Sequence, residues 1–375
     1  MPKIHTDEEL LKAVEVRNRH RSNKAAAKEL GVNEHTVARR LWHAAERGLD
    51  GSVPKPLPTG QIVKGVSSLY RMNSSGEWEE RLQWVKTKAD ESNEKLIEAL
   101  RSAFDSYKDR APLIAPPKQT DTDLLSVYPI ADQHVGLMAW GAETGEDYDL
   151  NIGAERLRNC AAKLVSQSPT SKQAIILNLG DWQHNDDSKN ATPASGNLLD
   201  VDGRYMKVLT TGVQLMQDII EMSLQKHDTV LVRNLPGNHD PHASIALTVA
   251  LSAFYSKNTR VTVDTDPSEF FFHRFGNTLL GANHGHRIRK PDAMAMFMAC
   301  ARKEDWGQTK FHHIYTAHIH HELAKEVGDV RVESFQTLAA KDSWSAANGF
   351  CSGQSITSIT HHIRDGEVGR HRVNV

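Results

Sequence analysis

Short apolar runs that end in polar residues recur from Leu124 onward, and they limit the folds open to this chain. Five of them read LLSVYPIA, AIILNLG, TVLVRNLPG, NTLLGANHG and FHHIYTAH. Short, mainly apolar runs of this length are typical of buried strands. Helical patterns fill the intervals at 153–166, 204–226, 244–256 and 291–302. This alternation predicts an α/β domain of stacked layers over residues 120–375.

Each run ends in residues that suit a metal site. The clusters are Asp132-Gln-His134-Val-Gly136, Gly180-Asp181-Trp-Gln-His184, Gly237-Asn238-His239-Asp240, Asn283-His284-Gly285-His286 and His318-Ile-His320. Because α/β folds build sites at the carboxyl ends of strands, we expect the clusters to converge. Aspartate oxygen and neutral histidine nitrogen suit manganese, iron and zinc, and the clusters contain no cysteine that would indicate a zinc finger. One aspartate between two ions about 3.5–4 Å apart is an arrangement typical of phosphoryl transfer.

The motifs D-x-H-x-G, G-D-x-x-H, G-N-H-D, H-G-H and H-x-H resemble, in this order, those of the calcineurin-like metallophosphoesterase superfamily. The resemblance covers about residues 124–325. It implies a layered β-sandwich flanked by helices that holds two divalent metal ions, with Mn²⁺ expected first and Fe or Zn as alternatives. The ligands that it implies are Asp132, His134 and His320 for one ion, Asn238, His284 and His318 for the other, and Asp181 as the bridge.

The same resemblance assigns the catalytic residues. His239 is expected to act as general acid or transition-state stabiliser, with Asp240 as its orienting partner. His184 stands where the protein Ser/Thr phosphatases have aspartate, and this pattern resembles the SbcD-type DNA exonucleases. It implies that His184 lies near a nucleic-acid substrate and raises the question of an ATPase partner. Ala317 replaces the usual glycine before the fifth motif, and we expect a slight effect because alanine is small.

Further candidate substrate contacts flank the motifs. His286 follows a predicted ligand, and Arg287 and Arg289 follow the fourth motif, where they would hold phosphates. Trp182, beside the predicted bridging aspartate, would stack on a base. Ordinary packing or a solvated charge is the alternative for each.

The stretch NKAAAKELGVNEHTVARRLWHAAERG, within residues 1–50, resembles a helix-turn-helix. Ala27 would lie where the helices cross, Gly31 would make the tight turn, and Val37 would pack the second helix. In such motifs the second helix enters the major groove. The expected DNA contacts are Asn33, His35, Thr36, Arg39 and Arg40. A small helical protein-interaction module is the alternative.

Residues 51–76 are rich in Pro, Gly and Ser, which predicts a linker. Residues 77–110 are predicted to form one long amphipathic helix, with Leu82, Val85 and Ala89 on its apolar side. Because the pattern is not a sustained heptad repeat, packing on a neighbour is favoured over a dimerising coiled coil. The sequence leaves open whether the chain forms a homodimer.

Composition and charge limit the classes of protein to which this chain can belong. The net charge of -2 requires any basic surface to be local. Three scattered cysteines form no disulfide framework, and the N-terminus MPKIHTDEELLKAV has no apolar segment typical of a signal peptide. No apolar run approaches the roughly 18 residues that span a bilayer. We therefore expect a cytoplasmic protein with no membrane association.

Together these features predict a hydrolase, a nuclease that cleaves DNA phosphodiesters with a two-metal-activated hydroxide and is held on DNA by its helix-turn-helix. The architecture suggests a bacterial or phage genome. One alternative is a phosphatase or phosphodiesterase that acts on a small-molecule or protein phosphoester. The other is a DNA-binding regulator whose phosphoesterase fold is inactive.

Overall fold

The computed structural model describes residues 6–46, Leu49 and 111–375, together with the backbone of two strands at 61–72 and 78–89. The chain divides into two compact units, Met1–Ala99 and Leu100–Val375. In these described parts, no helix is long and apolar enough to cross a membrane.

The N-terminal unit begins with three helices, α1 Asp7–His20, α2 Asn23–Leu30 and α3 Glu34–Glu46. Thr6 and Glu9 form a capping box at the start of α1. Gly31 ends α2 in a left-handed conformation with φ 63°. Ala27 and Val37 are buried, at 6% and 0% exposure, so a small residue and an apolar residue lie at the predicted points of α2 and α3.

Two antiparallel strands, β1 Gln61–Met72 and β2 Trp78–Ala89, complete the described part of this unit. The predictions of a linker over 51–76 and a helix over 77–110 are therefore wrong across these strands. Residues 51–60 and 90–110 lie outside the described residues. The Asn-Ser-Ser-Gly stretch at 73–76, between two segments with Val, Trp and Thr, is a hairpin signal, and cross-strand pairing outweighs the helical spacing of the apolar residues.

The C-terminal unit contains eleven of the described strands and seven helices. The strands are β3 Asp121–Ile130, β4 Ser171–Asn178, β5 Thr229–Asn234, β6 Val261–Asp264, β7 Phe271–Phe275, β8 Thr278–Ala282, β9 Phe311–Thr316, β10 Leu323–Val327, β11 Val330–Ser334, β12 Ser355–His362 and β13 Gly366–Asn374. The helices are α4 Gly141–Thr144, α5 Leu150–Gln167, α6 Tyr205–Leu224, α7 Ala243–Phe254, α8 Pro291–Ala301, α9 Lys303–Gln308 and α10 Ser343–Ala347. The helices predicted at 153–166, 204–226, 244–256 and 291–302 are confirmed.

The strands form two sheets that pack face to face. One sheet has the order β13-β12-β3-β4-β5-β6 and the other β10-β11-β9-β8-β7. Apolar side chains from both sheets, such as Leu177 and Phe271, form the layer between them. Helices α5, α6 and α7 cover the outer face of the first sheet, and α8 covers that of the second. The fold is thus the predicted layered sandwich of two sheets flanked by helices.

Parallel strands in both sheets direct their following loops to one edge. Strands β3, β4 and β5 are parallel neighbours in the first sheet, and β8, β9 and β11 are parallel neighbours in the second. The loops after β3, β4, β5, β8 and β9 carry the five motifs. The expected convergence at the carboxyl ends of the strands is therefore confirmed.

Candidate metal centre

The five loops bring together three groups of potential metal ligands. Within each group, one ligand atom per residue lies within 4.8 Å of the others, and the groups are Asp132–His134–His320, Asp181–His284–His318 and His134–His184–His239. The first group contains the three residues implied for one ion, and the second combines the implied bridge Asp181 with two of the residues implied for the other ion, His284 and His318. Each of them combines a carboxylate with histidines, as borderline divalent ions prefer.

Left-handed backbone marks the predicted ligands. Seven non-glycine residues of the described chain have positive φ, and five of them are predicted ligands: Asp132 (47°), His134 (46°), Asp181 (52°), His318 (74°) and His320 (57°). Sparsely populated backbone conformations of this kind cost on the order of 1–3 kcal/mol each. Such strain clusters at functional sites, where the surrounding structure fixes the geometry.

Three potential ligand atoms, from Asp181, Asn238 and His284, lie close together at the His284 ring. Its Nε2 lies 3.1 Å from Asn238 Oδ1 and 3.2 Å from Asp181 Oδ2. Its Nδ1 donates to the carbonyl of Leu179 at 2.9 Å, which directs Nε2 toward those oxygens. Although burial lowers the pKa of His284, the carboxylates of Asp181 and Asp132 raise it to about 9. The surroundings therefore favour positive charge at this point.

The first group gathers two imidazole rings around Asp132. The Nε2 atoms of His134 and His320 lie 3.2 Å apart, and His320 Nε2 lies 3.8 Å from Asp132 Oδ1. The Asp132 carboxylate accepts the backbone N–H of His318 at 2.9 Å, which ties the end of β3 to the end of β9. Neutral imidazole nitrogens that face each other present lone pairs to one region, and a shared cation stabilises this arrangement.

Buried carboxylates show that the centre suits a cation. Asp132, Asp181 and Asp240 are at most 1% exposed. Within residues 111–375 no lysine or arginine forms an ion pair with them, and the ion pairs of Asp132 and Asp181 are with histidines. Buried charge is costly unless it is paired or coordinates a metal. The donor set therefore fits divalent metal ions.

Asp240 fixes two of the ligand loops. Its carboxylate accepts the backbone N–H groups of Asp181 at 3.1 Å and of Gln183 and Gly237 at 3.0 Å each. Burial, reinforced by the charge of Asp181, raises the pKa of Asp240 to about 7. The predicted orienting role toward His239 is wrong, because both oxygens of Asp240 bond to the backbone of the β4 and β5 loops.

His239 is oriented by a backbone carbonyl instead. Its Nδ1 lies 2.9 Å from the carbonyl oxygen of His184. Because a carbonyl only accepts, Nδ1 carries the proton and Nε2 is left for other partners. The backbone N–H of His239 donates to Asp181 Oδ1 at 2.8 Å. This contact holds the predicted catalytic residue against the predicted bridging ligand.

His184 lies on the buried side of the centre. Its ring is 1% exposed, and its Nδ1 lies 3.2 Å from His134 Nδ1. The rings of His184 and His239 stack at a centroid distance of 5.4 Å. The structure thus places His184 among the potential ligands, and its nearness to a nucleic-acid substrate stays a prediction.

Two glycines are required where the loops pass each other. A Cβ on Gly237 would lie 1.9 Å from Asp181 Oδ1, and one on Gly180 would lie 2.8 Å from His284 Nδ1. Only glycine allows so close an approach. Ala317, by contrast, is not among the described residues with positive φ, so its backbone does not require glycine.

The predicted substrate contacts at the fourth motif differ in the partners of their side chains. The His286 ring lies 5.3 Å from the His284 ring, close to the second ligand group. Arg287 donates twice to Glu269, at 2.9 Å in each case. Arg289 bonds through Nε to the carbonyl of His286 at 3.3 Å. Arg287 is therefore occupied by a carboxylate, whereas Arg289 keeps free donors.

Trp182 does not face a substrate. The side chain is fully buried, and its indole N–H donates to the carbonyl of Gly212 in α6 at 3.1 Å. The prediction that Trp182 stacks on a base is wrong, because α6 packs over the ring.

The predicted DNA contacts cluster at the start of α3, and they are Asn33, His35, Thr36, Arg39 and Arg40. His35 and Arg39 are exposed. Asn33 Oδ1 accepts the N–H of Thr36 at 2.7 Å, which begins the helix. Arg40 is only 12% exposed in its side chain and lies 3.5 Å from Glu9, so its prediction as an exposed contact is wrong because α1 covers it.

A histidine–aspartate pair after the third motif was not predicted. His242 Nδ1 lies 2.5 Å from Asp186 Oδ2, and the His242 side chain is 65% exposed. Asp186 Oδ1 also accepts the N–H groups of His242 at 2.9 Å and Ala243 at 2.7 Å, which anchors the start of α7. The only signal in the sequence was the position of His242 two residues after Asp240.

Comparisons with known proteins give only distant structural likenesses. No family model and no curated protein matches the chain. An uncharacterised protein described as a predicted phosphoesterase, from Streptococcus pneumoniae TIGR4, is 11% identical with a TM-score of 0.31, covering 68% of this chain and 100% of that one. An archaeal phosphodiesterase is 10% identical with a TM-score of 0.34, covering 67% and 99%. Vps29 from Entamoeba histolytica, complexed with Zn²⁺, is 15% identical with a TM-score of 0.26, covering 66% and 98%.

These scores are low, and the fold class therefore rests on the order of strands in the two sheets. The site likewise rests on the side chains that their loops bring together.

Proposed function

We propose that this chain is a metal-dependent phosphodiesterase that hydrolyses DNA. The observation that carries the proposal is the pair of ligand groups, Asp132–His134–His320 and Asp181–His284–His318, at one edge of the sandwich. Two divalent ions held there, with Mn²⁺ expected first, would activate a water molecule. They would also offset the negative charge on a phosphoryl group. The Asn238 oxygen beside His284 adds a neutral ligand to the second group.

The proposed role of His239 is supported by its hydrogen bonds. With Nδ1–H donated to the His184 carbonyl, the ring presents Nε2 beside the ligand groups. A protonated Nε2 would donate to the phosphoryl oxygen or to the leaving oxygen. General acid catalysis of this kind contributes roughly 10²–10⁴ in rate. Asp240 supports the reaction indirectly, by fixing the loops that carry Asp181 and His239.

Two variants separate these roles. We expect His239→Ala to retain metal and lose about a hundredfold or more in kcat. Asp181→Ala should lose both metal and turnover, and His371→Ala, on β13, serves as the control. Metal content is measured by calorimetric titration with Mn²⁺ and turnover with bis(p-nitrophenyl) phosphate. Equal loss of metal in the His239 and Asp181 variants would contradict the division of roles.

DNA as the substrate is supported by the surface of α3. His35, Arg39 and Trp42 are exposed, and their spacing along α3 places them on one side of the helix. A helix that binds in the major groove presents such side chains to bases and phosphates. A weak DNA-binding unit on the same chain raises the local concentration of substrate at the catalytic unit.

The substrate class is tested on the full chain with Mn²⁺. Linear duplex DNA, single-stranded DNA, bis(p-nitrophenyl) phosphate and p-nitrophenyl phosphate are compared. Cleavage of DNA that is lost in His239→Ala supports the proposal. Turnover of the monoester without cleavage of DNA would indicate a phosphatase, and no turnover with Mn²⁺, Fe²⁺ or Zn²⁺ would indicate an inactive, DNA-binding regulator.

The contribution of α3 to DNA binding is tested separately. Arg39→Ala should weaken binding to duplex DNA and reduce the salt slope by about one, as expected for the loss of one phosphate contact. Lys28→Ala, an exposed lysine on α2, is the matched control. The measurement is fluorescence anisotropy at several salt concentrations. Equal slopes in both variants would remove α3 from the DNA-binding surface.

A further inference from the structure

A cavity of about 150 Å³ adjoins the candidate metal centre on the outer face of the second sheet. Its floor is formed by β9 and β11, through Thr316, Val332 and Ser334, and the first turn of α8 lies over it. Its inner end is bordered by Gly285 and His318, the latter a member of the second ligand group. The cavity therefore borders the second ligand group of the candidate metal centre.

The size and lining of this cavity select the kind of group that fits. Sites for drug-sized ligands measure about 300–1,000 Å³, so this cavity suits a single ring system. Met294 and Val332 line it with buried apolar atoms, and Leu323 and Ile319 add exposed apolar side chains, at 47% and 39%. Because the walls are mainly apolar, burial of a flat ring against them is favourable.

Polar groups lie at two points of this lining. The Thr316 hydroxyl donates to the carbonyl of Glu333 at 3.1 Å, so its oxygen is left with acceptor capacity. Arg289 also lines the cavity, is exposed, and forms no ion pair within residues 111–375. A guanidinium plane in this position stacks on bases or donates to their edges. An acceptor inside and a cation at the mouth suit a heterocycle that carries both N–H groups and ring acceptors.

We propose that this cavity, lined by Gly285, Arg289, Met294, Thr316, His318 and Leu323 and called here the ring pocket, binds the nucleobase of the nucleotide whose phosphate lies at the metal centre. The inference rests on the proposed function, since it names the substrate group next to the scissile phosphate. An unpaired base reaches such a pocket more readily than a stacked one, so single-stranded DNA or a frayed end is the favoured substrate.

Binding of two ligands that differ only by the base tests the ring pocket. Thymidine 5′-monophosphate and 2-deoxyribose 5-phosphate are titrated calorimetrically into the Mn²⁺-loaded full chain. We expect the nucleotide to bind at least about tenfold more tightly, as the stacking of one base provides. Leu323→Trp, which fills the mouth of the pocket, should bring the two affinities within about twofold of each other.

Matched control variants show whether a change in the affinity ratio comes from the ring pocket or from a general disturbance of the protein. Ala324→Trp places the same ring on the next residue of β10, whose side chain points to the opposite face, and it should keep the tenfold ratio. Arg289→Gln should reduce the ratio to about threefold, whereas Arg287→Gln, whose guanidinium is paired with Glu269, should leave it unchanged. Arg289 is exposed, so this variant tests the pocket even if Leu323→Trp fails to fold.

The outcomes separate this inference from the proposed function. Equal affinities of the two ligands for the wild-type protein, or a tenfold ratio that survives both Leu323→Trp and Arg289→Gln, would overturn the ring pocket even if DNA is cleaved. A ratio that falls in those variants supports the pocket even if the protein cleaves no DNA, because the measurement requires binding alone.

Discussion

Two sets of histidines in the C-terminal unit differ in the partners of their ring nitrogens. In the candidate metal centre, His134 lies 3.2 Å from His320 on one side and 3.2 Å from His184 on the other. Away from it, His227 Nε2 meets the Tyr128 hydroxyl at 2.8 Å and its Nδ1 meets Ser171 Oγ at 2.9 Å. The first set presents nitrogen to nitrogen, whereas the second finds hydroxyl partners.

Three histidines of the candidate metal centre also differ from the second set in their backbone conformation. His134, His318 and His320 adopt left-handed conformations, whereas neither His227 nor His361 is among the described residues with positive φ. His361 Nε2 meets the Tyr315 hydroxyl at 2.8 Å, across the interface between the sheets. Burial and residue type are therefore poor guides to function. A buried histidine that faces another histidine from a strained backbone indicates a cation, and one that faces a tyrosine stabilises the fold.

The largest effect is expected where the centre depends on a close approach of two loops. Gly237→Ala would place a Cβ 1.9 Å from Asp181 Oδ1, so the β5 loop must move. Misplacement by about 1 Å costs on the order of a hundredfold in rate, and we expect at least that loss in kcat. Gly307→Ala, with no atom within 4 Å of the added Cβ, is the control. Wild-type activity in Gly237→Ala would show that the loop contact does not hold the centre together.

Bound metal should stabilise the protein through the candidate metal centre and not through the histidine set that contains His227. At a hundred times its Kd, Mn²⁺ should add about 2.7 kcal/mol to the free energy of unfolding. For a unit of this size the melting temperature should rise by roughly 5–10 °C relative to protein in EDTA. Asp181→Ala should abolish the shift, and His227→Gln should keep it. A full shift in Asp181→Ala would move the stabilising ion away from the proposed centre.

The clustering of the five motifs could be predicted from local sequence. Each motif follows an apolar run typical of a buried strand, and parallel strands bring their following loops to one edge. The strained conformations of Asp132 and His320 could not be read from the chain. Neither could the pairing of His242 with Asp186, since that contact joins loops 56 residues apart in sequence.

Prediction from the sequence failed where tertiary contacts decide between two possible local structures. The segment around Leu82 and Val85 has apolar spacing compatible with a helix, and backbone pairing of β2 with β1 makes it a strand. Arg40 was expected to contact DNA, but Glu9 of α1 lies 3.5 Å from it. In both places the outcome depends on a neighbour that the local sequence does not identify.

The second histidine set should make the protein sensitive to acid. Burial lowers the pKa of His227 to about 4 and that of His361 to about 3. An unfolded histidine binds its proton near pH 6.5, so below that pH the unfolded state binds more protons than the folded state. The free energy of unfolding should therefore fall as pH drops from about 6.5 toward 4 and be unaffected above about pH 7.5.

A single variant isolates this contribution. Between pH 7.5 and pH 5, His227 should account for a loss of about 2 kcal/mol, measured by urea unfolding in EDTA. His227→Gln, which keeps a polar group near Tyr128 and Ser171, should reduce the difference between the two pH values by that amount. His321→Gln, at an exposed position, is the control. An unchanged difference in His227→Gln would show that this histidine does not resist protonation in the folded state.

The smallest effect is expected at Ala317, beside the ligand His318. If left-handed backbone is confined to the ligands themselves, a glycine at 317 relieves no strain, because Ala317 is not among the described residues with positive φ. Ala317→Gly should leave kcat within about twofold and lower the free energy of unfolding by about 0.4–1 kcal/mol, through the greater freedom of glycine in the unfolded chain. Steady-state kinetics and urea unfolding measure the two quantities. A gain in activity or stability would mean that strain extends beyond the ligands, so the backbone would mark the whole loop and not the residues that hold the ion.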